Sequence, residues 1–236
     1  MAAVPDSTPS EPIPILGGTG ALGAGLARRW AQAGAAVVVG SRSAERGEEA
    51  AAKVRDAVPG ADVTGLSNEE AAGKAEIVFL TVPFRAQSEN LNNLREALHP
   101  GQILVDCTVP LAAAVSGKAT RSLGVWQGSA AQQAQEMVPD GVTVVAALHT
   151  VGAPTLADGD AKLEEDVLVC GDKKADKARV ARLIELIPGL RAVNAGPLEM
   201  ARIVEQLTPM LISINSRYKT HTGIRLTGLP AHDHWS

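Results

Sequence analysis

Five glycines lie between Gly17 and Gly25 in the stretch ILGGTGALGAGLARRW, and a run with helical spacing follows at once. Glycine lets backbone N–H groups approach an anion closely, and the first turn of a helix presents unpaired donors with a partial positive charge. A turn that joins strand to helix for steric reasons alone can use the same glycines, so G-x-G-x-x-G by itself does not separate the two readings. Its surroundings do. Gly18-Thr19-Gly20-Ala21-Leu22-Gly23 follows the strand-like IPILG and opens a helix with Leu22, Leu26, Ala27 and Trp30 on one face. Gly34 then stops the helix before a second strand, AAVVVGS. In a strand-helix-strand unit of this kind Gly18 permits the tight turn, Gly20 admits a pyrophosphate, and Gly23 lets helix and strand pack closely.

The rest of the chain repeats this alternation. Strand-length apolar runs recur as ADVTGL, EIVFLTV, QILVDCT and VTVVAAL, and AERGEEAAAKVRDAV reads as a helix ended by Pro59-Gly60. Runs that are apolar throughout imply burial on both faces, which predicts an α/β fold of the Rossmann type: a doubly wound, mostly parallel sheet with a small C-terminal helical portion. Pro12 and Pro14 limit the first strand to Ile13 through Gly17, because proline cannot donate to a ladder. Beyond Thr150, residues 151–166 are polar and loop-like, DVLVCG is a strand, 173–187 is amphipathic and LRAVNAG is a short edge strand. Gly196-Pro197 then suits the start of a long helix with Glu199 in its first turn. Met200, Ile203, Val204, Leu207, Leu211 and Ile214 form its apolar stripe, Arg202 and Gln206 share another face, and Pro209 predicts a kink.

The tip of the second strand identifies the dinucleotide. A carboxylate there would accept hydrogen bonds from a free ribose 2′-hydroxyl; VVVGSRSAER instead places Ser41 and Arg42 at the tip and Arg46 one helical turn on. Guanidinium groups grip a 2′-phosphate that an aspartate would repel, so NADP(H) is expected rather than NAD(H). The bland alternative is that the two arginines only solvate a helix start. Two further loops, Thr81-Val82-Pro83 and Thr108-Val109-Pro110, should face the cofactor beyond the carboxyl ends of their strands.

Composition excludes other classes. A net charge of -4 provides no basic field for nucleic acid, and 3% aromatic residues leave little surface for base stacking. No apolar run reaches the roughly twenty residues that span a bilayer, so no membrane partner is expected. MAAVPDSTPSEP lacks a basic n-region and an apolar h-region, so a cytoplasmic location is expected. Cys107 and Cys170 sit in apolar runs without metal or redox spacing and read as buried thiols. His232 and His234 near the C-terminus read as terminus rather than metal site, so no metal is expected. The apolar C-terminal helix could supply a homodimer surface as readily as a core face.

From about Ile15 to about Leu226 the chain resembles the NADPH-dependent reductases of coenzyme F420, the F420:NADP oxidoreductases. The resemblance rests on LGGTGALG, VVGSR, LTVPF, ALHT, VCGD, AGPLEMARIVEQLTP and GIRL, in that order. It implies reversible hydride transfer between the nicotinamide of NADPH and the deazaflavin ring of F420, an oxidoreductase activity with two small redox coenzymes as partners. It implies NADP contacts at Thr19, Gly20, Ala21 and Leu22, at Ser41, Arg42 and Arg46, and at Val82, Val109 and Ala147. On the deazaflavin side it implies His149, Arg202 and Thr208. Gln206 departs from the pattern, which has a small hydroxyl residue there, and the longer amide puts the local hydrogen bonding in question. The division then expected is a flexible tail at 1–12, an NADP-binding domain at 13–195, and a helical domain at 196–236 that completes the deazaflavin crevice, with 151–166 packing on that last portion. No side chain is assigned as catalytic, because the two coenzymes contain the reactive centres and the protein binds and aligns them.

Three rivals remain. A short-chain dehydrogenase needs a tyrosine four residues before a lysine, but the sole tyrosine, Tyr218, is followed at that spacing by Thr222. Reductases of imines or small hydroxy acids usually have a larger helical substrate domain than the forty residues after Gly196. A non-catalytic NADP(H) sensor would share the same cofactor motifs.

Overall fold

The computed structural model describes residues 9–230 and Trp235. The chain alternates strands β1 (Ile13–Leu16), β2 (Val37–Ser41), β3 (Val63–Ser67), β4 (Ile77–Leu80), β5 (Ile103–Asp106) and β6 (Thr143–Ala146) with helices α1 (Ala21–Gln32), α2 (Ala44–Ala57), α3 (Asn68–Ala72), α4 (Gln87–Asn93) and α5 (Ala130–Met137). It continues through α6 (Ala153–Ala157), β7 (Glu165–Cys170), α7 (Lys174–Glu185), β8 (Leu190–Gly196) and α8 (Ala201–Tyr218). The eight strands form one sheet in the order β3-β2-β1-β4-β5-β6-β7-β8. All neighbouring pairs are parallel except β6 and β7, which meet antiparallel at Ala146 and Cys170. Strand order reverses at β1, so the loops after β1 and β4 open a crevice between them, where ligands of doubly wound sheets bind.

Side chains alternate across the sheet and feed two cores. Ile13, Ile15, Val37, Val39 and Phe79 pack with α1, α2 and α7. Leu16, Val38, Val78, Leu80 and Leu104 pack with α3, α4, α5 and α8. Trp30 on α1 is fully buried against Phe79, with ring centroids 4.7 Å apart, and its indole N–H donates to the Leu183 carbonyl at 2.7 Å. Pro14 is compatible with a central strand for a positional reason: it pairs with Val38 of β2, while pairing with β4 begins one residue later at Ile15. Gly17 is already outside the strand.

Several expectations need adjustment. Residues 151–166 are not wholly loop: they contain α6, which docks on α1. The Arg29 guanidinium is buried there and donates to the carbonyls of Thr155, Leu156, Asp158, Gly159 and Ala161. The end of this stretch meets the C-terminal segment, where the Asp166 N–H donates to the Ile224 carbonyl and the Asp166 carboxylate accepts from the Leu226 N–H, as it does from Arg191 of β8. The edge strand β8 is present and has seven residues. A short 3-10 turn over Leu198–Met200 takes Glu199, so α8 starts at Ala201 and runs on through Pro209. Of its expected apolar stripe, Ile203 is exposed, because α8 covers the sheet with the face bearing Ala201, Val204 and Leu211.

At the other end, the Glu11 carboxylate accepts the Glu76 N–H at 3.1 Å, tying down the last part of the expected tail, whose first eight residues lie outside the described ones. His232 and His234 also lie outside them. Among the described residues no helix is long and apolar enough to cross a membrane.

Arg29 predicts the stability of the α1–α6 contact. Arg29→Met keeps much of the side-chain volume but strips a buried set of carbonyls of their donor, at a cost of about 3 kcal/mol. The expected result is a lower urea midpoint at an unchanged denaturant slope.

Candidate active site

The glycine turn begins one residue earlier than the G-x-G-x-x-G spacing suggests. Gly17 has φ +74°, a left-handed backbone, and a Cβ there would stand 2.5 Å from the Val82 side chain. Its N–H donates to the side chain of Asn68, the first residue of α3, at 3.0 Å, and Asn68 in turn donates to Asn90 at 3.1 Å. Gly18 is held by close packing on Ile15 and Val39, while Gly23 is constrained most directly. A Cβ at Gly23 would lie 2.6 Å from both the Gly18 Cα and the Thr81 hydroxyl, so the start of α1 can seat on the ends of β1 and β4 only without a side chain. Gly20 is the N-cap of α1 and offers no side-chain acceptor, and no acidic residue occupies the first turn. The leading amides of the helix are therefore left for an external anion.

A cleft of about 450 Å³ lies beside this turn, lined by Gly17, Thr19, Gly20, Ser41, Arg42, Asn68, Val82 and Pro83 among others. Arg46 lines an adjoining groove between α1 and α2 with Thr19, Arg28 and Lys53. Thr19 borders both spaces, so Arg42 and Arg46 flank the turn from two sides, and both are exposed. No carboxylate stands at the tip of β2 itself. Thr81 differs from its neighbours: its hydroxyl donates to the Leu16 carbonyl at 3.0 Å and braces the strands, while Val82 and Pro83 face the cleft. Val109 and Ala147 sit further along the same edge of the sheet, after β5 and β6, outside the lining of this cleft.

His149 follows β6 by three residues and is buried. Neither of its ring nitrogens has a hydrogen-bond partner, and burial lowers its pKa to about 4. The preceding Leu148 has φ +68°, a strained conformation for a branched side chain, of the kind that collects at functional sites. The Thr208 hydroxyl on α8 donates to the His149 carbonyl at 2.8 Å. The structure thus joins Thr208 to His149, whereas Arg202 and Gln206 stand one turn apart on the exposed face of α8.

Between these regions lies a buried polar cluster that the motifs do not mark. The Asp106 carboxylate accepts from the Thr108 N–H and hydroxyl, each at 2.7 Å, and from the Gln87 amide at 2.6 Å; burial still raises its pKa to about 6. Glu205 on α8 accepts the N–H groups of Ala130 and Ala131. Burial pushes Glu205 up to about 8 against the Ala130 donation, and the nearby Asp106 charge adds to the rise. The available signal was an acidic residue at a buried position: Asp106 interrupts the apolar ILV run, and Glu205 is next to Val204 in the α8 stripe. Asn68, also missed by sequence reasoning, carries no comparable signal. Cys107 and Cys170 are buried free thiols, with Cys170 pushed up to about 12 by burial.

Residues 12–110 match the family model described as "NADP oxidoreductase coenzyme F420-dependent". The F420-dependent NADP reductase of Methanothermobacter marburgensis is 41% identical over 222 residues, covering 92% of this chain and 99% of that protein. The chain belongs to the F420-dependent NADP reductase family. A second reductase of this name, from Methanothermobacter thermautotrophicus, is 40% identical over 223 residues, covering 92% of this chain and 95% of that protein. A crystal structure described as an F420 dependent NADP-reductase from Arthrobacter sp. FB24 superposes with a TM-score of 0.72 at 25% identity, covering 92% of this chain and all of that one. Membership agrees with the motifs read between Ile15 and Leu226, and the mostly parallel sheet agrees with the expected Rossmann-type fold.

A reductase of this family built with a depressed His149 has a defined acid response. The folded state resists protonating the ring that the unfolded chain protonates freely, so stability tied to His149 is present above about pH 6.5 and is lost as pH falls toward 4. Urea unfolding across this window should show the native protein losing ground to His149→Gln as the pH drops. A constant difference between the two would remove the buried, neutral imidazole.

Proposed function

We propose that this chain catalyses reversible hydride transfer between NADPH and the deazaflavin coenzyme F420. The observation that carries the reading is the glycine turn with its uncapped helix start, flanked by Arg42 and Arg46, on a chain 41% identical to a protein named for that reaction. When bound, the two coenzymes supply the redox chemistry, and the chain supplies their binding and alignment. In this reading Gly18, Gly20 and Gly23 bring the backbone to the pyrophosphate, and the amides of Ala21 and Leu22 donate to it. Thr19, Ser41, Arg42 and Arg46 surround the adenosine 2′-phosphate. Thr81 braces the loop whose Val82 and Pro83, with Val109 and Ala147, line the path toward the nicotinamide.

His149, Arg202, Gln206 and Thr208 are assigned to the deazaflavin. The geometry divides their work. A neutral imidazole has one donor and one acceptor, so His149 can orient a ring edge but cannot carry compensating charge near neutral pH. Arg202 is the permanent cation of the group, and it is the one suited to the negative charge that develops on the deazaflavin edge as hydride arrives. Thr208 holds the backbone of His149 in place. Gln206, on the same face as Arg202, adds amide donors beside it.

Two measurements test this. Mixing the purified protein with NADPH and oxidised F420 should bleach the deazaflavin absorbance stoichiometrically; a protein that binds NADPH and leaves the chromophore unchanged would be a sensor. Replacing Arg42 and Arg46 together with alanine should reduce the preference for NADPH over NADH by roughly a hundredfold, since each charge-assisted hydrogen bond to the phosphate contributes about 1.5 kcal/mol. An undiminished preference would show that the 2′-phosphate is held elsewhere.

A further inference from the structure

A continuous run of buried polar contacts connects α8 through α5 and α4 to the loop after β5. On α8, the Glu205 carboxylate accepts the N–H groups of Ala130 and Ala131, the first two residues of α5, at 3.0 and 3.2 Å. The Ala130 carbonyl lies 2.9 Å from the Gln87 amide nitrogen on α4, which also reaches Asp106 at 2.6 Å and the Thr108 hydroxyl at 2.8 Å. Thr108 opens the loop that carries Val109 and Pro110. Gln133 closes the arrangement by donating to the Gln87 side-chain oxygen at 2.7 Å. Gln87, Asp106, Thr108 and Glu205 are each no more than 1% exposed.

Stability alone does not account for Glu205. A buried carboxyl costs more to desolvate than a well-packed apolar side chain, and the flanking positions Val204 and Ala201 show that an apolar residue fits this face. Ser129 already caps α5 by accepting the Gln132 N–H at 3.0 Å. What Glu205 adds is a fixed relation between helices. It stands three residues from both Arg202 and Thr208, so its grip on α5 places those two side chains relative to Gln87 and the Thr108–Pro110 loop.

We propose that Glu205 is a positioning residue for hydride transfer, holding α8 in register with α5 and the Thr108–Pro110 loop so that the two coenzyme rings meet at reactive distance. The proposal rests on the deazaflavin being the hydride partner. Small errors in such alignment are costly in rate, because transfer needs the reacting atoms held about 3 to 3.5 Å apart.

The test is a single-turnover measurement, with the protein in excess over bound NADPH and mixed with saturating oxidised F420, on the native protein and on Glu205→Gln. The glutamine matches the shape but can accept only one of the two amide donations. The first-order rate constant for deazaflavin bleaching is independent of how much of the protein is folded, so it separates misalignment from instability. It should fall roughly tenfold to a hundredfold, while NADPH affinity, read from nicotinamide fluorescence, stays within about twofold. Glu205→Asp, which keeps the carboxyl but is too short to reach both amides, should move the rate constant the same way and serves if the glutamine variant does not fold. A rate constant within about twofold of native, with only the amplitude reduced, would make Glu205 merely structural and overturn the proposal. A native protein that bleaches no deazaflavin would instead remove the assignment of function, and this inference with it.

Discussion

The start of α1 rests on the ends of β1 and β4 so closely that no Cβ can intervene, and the rest of the site follows from that contact. Gly23 lies against Gly18 and the Thr81 hydroxyl, and Thr81 is itself tied to the Leu16 carbonyl. A side chain at Gly23 would force the start of α1 off these strand ends. The same contact fixes the far end of α1, where Trp30 is buried on Phe79 and Arg29 holds the carbonyls of the α6 segment. Since that segment follows His149 closely in the chain, one helix braces both the glycine turn and the loop after β6.

The charges are distributed in agreement with this division. Arg42, Arg46 and Arg202 are at exposed positions, where solvation makes a full charge inexpensive. Burial penalises charge on the titratable groups of the interior: it lowers His149 to about 4 and raises Asp106 and Glu205 to about 6 and 8. Directional hydrogen bonds compensate part of that penalty, from Thr108 and Gln87 to Asp106 and from the Ala130 and Ala131 amides to Glu205.

Much of this was legible in the sequence, because it depends on local chemistry. Apolar runs of strand length mark β1 to β7, and the glycines mark the turn into α1. What was not legible depends on contacts between distant segments. That α6 would seat on α1 requires Arg29 to find carbonyls more than a hundred residues away. Ile203 reads as part of an apolar stripe, yet only the direction from which α8 meets the sheet decides that it is exposed. Gly17, rather than Gly18, has the left-handed backbone, and Val82, from another strand's loop, leaves no room for a Cβ there.

Asp106 and Glu205 belong to the same class and explain why no acid–base pair was visible in the motifs. Asp106 lies between Val105 and Cys107 and Glu205 follows Val204, and only the fold brings Asp106 at the end of β5 near Glu205 in the second turn of α8, with α4 and α5 between them. Neither is one of the side chains assigned to either coenzyme. Their hydrogen bonds run to Thr108 and to backbone amides, which marks them as structure for the site rather than reagents within it. A reaction whose electrons and hydride reside in two bound coenzymes asks the chain for alignment, and buried, directional hydrogen bonds between helices are a means of supplying it that hydrophobic packing alone, being non-directional, lacks.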